Sequence, residues 1–210
     1  MIRQWVKEDG FLTAEEIHYA IAEAFEELDI ERRRILFLIP DSTRSMPMPV
    51  VFRALFEALH GRVAKMDFLI ALGTHPPMSE AAINKLLGIT PPERHSKYGG
   101  IKICNHEWQN PDALQYIGAV TREEIAEISN GLLWEQAEIF VNKRIFDYDL
   151  VCVIGPVFPH EVVGFSGGNK YFFPGVSGSE ILHLFHWLAA LITNPVINGV
   201  KHTPVRSIID

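Results

Sequence analysis

Short, almost continuous apolar runs constrain this chain more than any other feature. Ile35–Ile39 and Met66–Leu72 are each consistent with a strand buried on both faces, and Leu150–Ile154 is strand-like. Between them lie segments with helical signals. Thr13-Ala-Glu-Glu16 has the form of a capping box, and Ile17, Ile21, Ala24, Phe25 and Leu28 follow at helical spacing. Pro49 suits the first turn of a second helix, with Val51, Leu55 and Leu59 on one face and Gly61 just past its end. Ser79 is placed to cap Glu80–Leu87, and Gly88 to end it. Ile101–Cys104 and Glu138–Asn142 add strand-like pieces, Thr121–Asn130 is a polar section, and Ile181–Leu191 is apolar and helical in pattern. Strands alternating with helices predict an α/β chain, a Rossmann-like layered fold with a largely parallel sheet and helices on both faces.

In such sheets, ligands bind beyond the carboxyl ends of the strands. Every polar cluster of note follows a strand candidate: Asp41–Arg44, Gly73–His75, Asn105–Glu107 and Gly155–Lys170. That coincidence points to one composite site. The 210 residues suffice for a single α/β domain. The formal charge of -7 argues against general nucleic-acid binding, and Arg32–Arg34 reads as the solvated lead-in to a strand. No run approaches the ~18 apolar residues of a membrane span, and the charged N-terminus does not resemble a signal peptide. Cys104 and Cys152 form no disulfide framework or Cys-x-x-Cys site, so a cytoplasmic setting is expected.

Each cluster has an ordinary reading beside a functional one. Gly164-Phe-Ser-Gly-Gly-Asn-Lys170 is neither a Walker A loop nor a Gly-x-Gly-x-x-Gly turn. It is balanced between a plain turn with a solvent lysine and a loop whose backbone approaches an anion beside a nucleophilic amine. His75 and His160 are either surface residues or a pair of acid/base groups, the arrangement a racemase needs on opposite sides of one carbon. His183 and His186 share one helical face, which suits packing or a metal. Asp41 and Arg44 are either a self-satisfied ion pair or part of an anion clamp.

Taken together, Asp-Ser-Thr-Arg at 41–44, Ala-Leu-Gly-Thr-His at 71–75 and Pro-His-Glu-Val-Val-Gly-Phe-Ser-Gly-Gly-Asn-Lys at 159–170 resemble the nickel-dependent lactate racemases. Pro174-Gly175 and His186 extend the likeness, which runs from about residue 35 to 190 in family order. The resemblance implies a nickel-pincer nucleotide cofactor, a pyridinium mononucleotide that holds nickel through two sulfurs and a ring carbon. It implies Lys170 as the covalent tether, His186 as the nickel ligand, and Asp41, Ser42, Thr43 and Arg44 as cofactor contacts. His75 and His160 become the catalytic histidines of a hydride-transfer racemase or epimerase acting at C2 of a 2-hydroxy acid.

Two departures carry expectations. Pro76 stands where lactate racemases usually have arginine, which points toward another 2-hydroxy acid or a bulkier relative. The family continues into a C-terminal domain that supplies a glutamine and a lysine, so this chain is expected to be a truncated form or a short member. Dedicated maturation enzymes are the implied partners, with neither nucleic acid nor membrane. Two other classes remain: a non-catalytic phosphate- or nucleotide-binding module built on Gly164–Lys170, and a hydrolase or lyase with metal held by His75, His160 and His186.

Overall fold

The computed structural model describes residues 2–210. Helix α1 (Ala14–Glu26) opens on the expected capping box: Thr13 accepts from the Glu16 N–H, and the Glu16 carboxylate accepts from the Thr13 N–H. The helix stops at Glu26, so Leu28 lies beyond it and is exposed, as is Ala24. Strand β1 (Arg34–Ile39), α2 (Met48–Leu59), β2 (Lys65–Ile70), α3 (Glu80–Leu87), α4 (Pro91–His95) and β3 (Ile103–Asn105) follow. Next come β4 (Leu114–Val120), α5 (Arg122–Ile128), β5 (Ala137–Asn142), β6 (Leu150–Val153) and the short pair β7 (Pro159–His160) and β8 (Gly164–Phe165). The chain closes with α6 (Ser179–Ile192), α7 (Asn194–Ile197) and α8 (Pro204–Ile209).

Four strands form a parallel sheet in the order β3-β2-β1-β6. The chain leaves β1 for β2 on one side and reaches β6 on the other, so the strand order reverses at β1. A crevice opens there, at the carboxyl ends of the strands. Ile35, Phe37 and Ile39 face a core filled by α1 and α2, in which Phe37, Phe52 and Phe68 make ring contacts. Leu36, Leu38 and Leu69 face the other way, against Tyr171 and Val176.

Asp67 is a buried charge within the apolar run of β2. The Lys102 N–H, the Tyr148 hydroxyl and the Lys65 ammonium satisfy it, which makes its burial tolerable. The run itself ends earlier than expected. At Leu72 the backbone N–H turns back to the Ile70 carbonyl, so Ala71 and Leu72 already belong to the loop.

The strand expected at 138–142 lies outside the parallel sheet. It is β5, paired antiparallel with β4, which the sequence reading did not anticipate. The polar section 121–130 folds as α5, with its own capping box from Thr121 and Glu124. These elements join α6, α7 and α8 around a second core that includes Ile125, Phe185, Leu188 and Val205. Among the described residues no helix is long and apolar enough to cross a membrane.

Candidate active site

The ends of β1, β2 and β6 border one cavity of about 170 Å³. Asp41 stands at the end of β1 and is only 6% exposed. Its Oδ1 accepts from both the backbone N–H and the hydroxyl of Thr43, at 2.9 and 2.5 Å. Its Oδ2 lies 2.5 Å from His75 Nδ1, on the loop after β2. Burial alone would raise the Asp41 carboxyl, but hydrogen bonds from Thr43 and His75 outweigh it and hold the group below the usual carboxylate range. A carboxylate on Nδ1 fixes the His75 tautomer and leaves Nε2 with its lone pair free to act as a base.

Opposite this pair, β7 and β8 form a two-strand turn that carries His160. His160 is 8% exposed, and its Nδ1 accepts the Val162 N–H at 3.1 Å. The hydrogen of the neutral ring is therefore on Nε2, the reverse of His75. Burial, with the Lys170 ammonium and the Arg44 guanidinium nearby, pushes His160 down to about 4. The two histidines share the cavity but present opposite faces of acid/base chemistry.

Lys170 sits in a short 3₁₀ turn (Gly168–Tyr171) beyond the glycine loop. Its amine reaches the cavity and forms no hydrogen bond among the described residues. Burial, reinforced by Arg44, lowers it to about 8, and the more distant carboxylates of Glu161 and Asp41 recover only part of that shift. The loop is fixed from behind by the C-terminal segment. Asn169 donates to Asp210 at 3.1 Å, and Arg206 donates to the Phe165 carbonyl at 3.3 Å. A Cβ on Gly164 would lie 2.0 Å from the Val200 carbonyl oxygen, so this glycine serves backbone packing and is not open to an anion.

From α6, His186 also lines the cavity, and its Nδ1 donates to the Leu182 carbonyl at 2.8 Å. Nε2 is thereby left as a lone-pair donor, the arrangement typical of a metal-binding imidazole. His183 is exposed and lies outside the cavity lining. Among the described residues, no three His, Cys, Asp or Glu side chains are grouped to hold a metal, so a three-histidine centre finds no support.

Of the positions singled out in the sequence, Asp41, Arg44, His75, His160, Lys170 and His186 converge on the cavity. Ser42 and Thr43 do not line it, and Thr43 gives its hydroxyl to Asp41. Asp41 and Arg44 do not neutralise each other, because the carboxylate is engaged by His75 and Thr43. The loop after β3 also stays out of the cavity lining. Asn105 brackets Met78 through both amide groups, while buried His106 ties Asn142 to the Ser177 carbonyl.

Sequence reasoning missed Tyr171, whose hydroxyl stands where a Cβ on Gly155 would fall, 1.6 Å away. It also passed over Glu161 and Ser166 as cavity residues. The glutamate's position directly after His160 was the available signal.

A sequence model of the lactate racemase N-terminal domain matches residues 13–196. Curated lactate racemases from Thermoanaerobacterium thermosaccharolyticum and Lactiplantibacillus plantarum are each 25% identical, over 171 and 168 residues. Those matches cover 78% and 79% of this chain, but the chain spans only 34% and 35% of the relatives' length. A crystal structure of a Thermotoga maritima protein aligns with a TM-score of 0.84 and 34% identity, covering 94% of this chain and 46% of that one. The lactate racemase apoprotein of T. thermosaccharolyticum shares the fold, with a TM-score of 0.68 and 19% identity over 92% of this chain and 45% of its own. Taken with the strand-end cavity, the match over residues 13–196 shows that the chain belongs to the lactate racemase family, in the part that forms its N-terminal domain.

Proposed function

We propose that this chain is the cofactor-binding and proton-transferring part of a racemase or epimerase that inverts C2 of a small 2-hydroxy acid. The observation that carries the reading is the pairing of an Asp41-braced His75 with an oppositely hydrogen-bonded His160 across one cavity. The residues present fit a nickel-pincer nucleotide. Lys170 offers an amine without a hydrogen-bond partner for covalent attachment, and His186 offers Nε2 to nickel. When bound, that group would supply an acceptor for the C2 hydrogen as hydride.

The protein's own part is to move protons at the substrate hydroxyl. His75 Nε2 removes the hydroxyl proton, and Asp41 stabilises the imidazolium that results. His160 serves the opposite face. Its low pKa comes from burial first and from the Lys170 charge next, so converting Lys170 to an uncharged linkage would bring His160 back toward neutrality. Cofactor attachment would thus tune the second histidine for proton transfer. Arg44, free of Asp41, is the cation placed for the substrate carboxylate or the cofactor phosphate.

Pro76 in place of the usual arginine points the specificity beyond lactate, toward another 2-hydroxy acid or a bulkier relative. Maturation enzymes that build and load the cofactor are the corresponding partners.

The test is full-length protein from a host that makes the cofactor. Nickel content, an adduct on Lys170 by mass spectrometry and inversion at C2 are expected together. His75→Ala and His160→Ala should each lower turnover by about 10²–10⁴-fold. Full activity in both variants, or active enzyme with unmodified Lys170, would sink the reading.

A further inference from the structure

Lys170 has properties beyond those a tether requires. Its amine opens into the cavity and makes no hydrogen bond there among the described residues. The charged groups facing it are Arg44, Glu161, Asp41 and Arg206, and both histidines line the same space. An amine with an appreciable neutral fraction near physiological pH is a nucleophile toward carbonyl carbon. A guanidinium beside it selects carbonyl compounds that carry a carboxylate.

We infer that Lys170 of the cofactor-free chain captures small 2-oxo acids as imines, with Arg44 holding the carboxylate. The lone pair on Nζ attacks the keto carbon, a C–N bond forms, and the carbonyl π pair moves to oxygen, which takes up a proton. The C–O bond of this carbinolamine then breaks and water leaves, giving the imine. A cavity histidine accepts the proton lost from nitrogen and returns it to the departing oxygen. No oxidant or reductant takes part in capture, so the imine is reversible.

Such capture would occupy the same amine that cofactor attachment needs. An apo chain bathed in 2-oxo acid would then be held from loading until the imine hydrolyses. The inference goes beyond the racemase reading and does not depend on it, since neither nickel nor nucleotide enters.

Trapping tests it directly. The 210-residue chain is incubated with pyruvate and sodium cyanoborohydride, which supplies the hydride that makes the adduct permanent, and its peptides are mapped by mass. Lys170 should gain the mass of pyruvate less one oxygen atom. With a pKa of about 8, its neutral fraction exceeds that of an ordinary lysine by ~100-fold, so it should label at least about tenfold faster than exposed lysines such as Lys97 and Lys102.

Acetone, the same ketone without a carboxylate, should label Lys170 at least about tenfold more slowly than pyruvate. In Arg44→Ala the ratio of pyruvate to acetone labelling at Lys170 should fall to the ratio measured on exposed lysines such as Lys97. That ratio cancels any change in the amine's own basicity. Labelling spread evenly over the exposed lysines overturns the inference, as does equal labelling by acetone in the wild type. A pyruvate preference at Lys170 that stays above that of the exposed lysines in Arg44→Ala overturns the role of Arg44. A chain that labels as expected yet never racemises when loaded would defeat the racemase reading and leave this one standing.

Discussion

The two cores of the molecule are built differently, and the cavity lies where they meet. Around the parallel sheet, Ile35, Phe37, Phe52 and Phe68 are wholly buried, and uninterrupted apolar runs hold the strands. The second core rests on partly wetted elements. Tyr116 and Ile117 of β4 and Trp187 of α6 remain exposed, and no residue of β4 is fully buried. Asp41 and His75 follow strands of the first core, His160 and His186 ride on elements of the second, and Lys170 sits beside Tyr171 of a smaller cluster between them. The seam between them is a small cluster, Leu36, Leu38 and Leu69 against Tyr171 and Val176. The first half of the site is therefore fixed by the sheet, and the second half is only as well placed as that seam.

The largest test of this contrast is a pair of core truncations. Phe68→Ala and Phe185→Ala both empty fully buried positions, and each should cost about 3–5 kcal/mol in urea unfolding. Amide exchange separates them. Phe68→Ala should loosen both cores, while Phe185→Ala should leave the β1 and β2 amides protected. Equal loss of protection everywhere would mean one indivisible core.

A smaller effect comes from His160. Its folded pKa is depressed to about 4, so the folded state refuses a proton that the unfolded chain accepts below about pH 6.5. The stability linked to this group is fully present above about pH 6.5 and falls as pH drops toward 4, on the order of 2–3 kcal/mol in all. Unfolding measured at neutral pH and near pH 4 should show a smaller difference in His160→Gln than in the wild type. An unchanged difference would place the acid sensitivity elsewhere.

Gly155→Ala probes the seam itself. The added methyl would fall 1.6 Å from the Tyr171 hydroxyl, so the ring must move, at a cost of ~1–3 kcal/mol. Because Tyr171 follows Lys170, the preference for pyruvate labelling at Lys170 should weaken as well. Destabilisation with unaltered labelling would show that the lysine is held independently of the ring. The smallest effect is expected from Thr121→Ala, which removes the cap of α5 and should cost about 1 kcal/mol in the urea midpoint. No shift would mean that this edge of the second core frays already.

The same contrast explains what could be read in advance. Parallel strands leave continuous apolar runs, so buried β1 and β2 and half-buried β6 were visible, and Ser79 and Gly88 marked the ends of α3. Strand β4 was not, because Gln115, Gly118 and a register shift between Tyr116 and Gly118 blur its alternation. Helix α5 was readable and was passed over: Thr121-x-x-Glu124 repeats the box of Thr13-x-x-Glu16. Spacing placed His75, His160, Lys170 and His186 near strand ends. It could not tell that Asp41 would turn to His75 instead of Arg44, since that contact joins residues 34 apart in sequence. Nor could it show that His106 would be enclosed by Asn142 and Ser177.

The hydrogen bond from Asn169 to Asp210 gives the pocket an order of assembly. Synthesis runs from the N-terminus, so Asp41 and His75 are in hand while much of the chain is still unmade. The turn that carries Lys170 gains this tie only when α8 and the residue after it have been made. The tie from Asn169 to Asp210 can therefore form only after synthesis has passed residue 210.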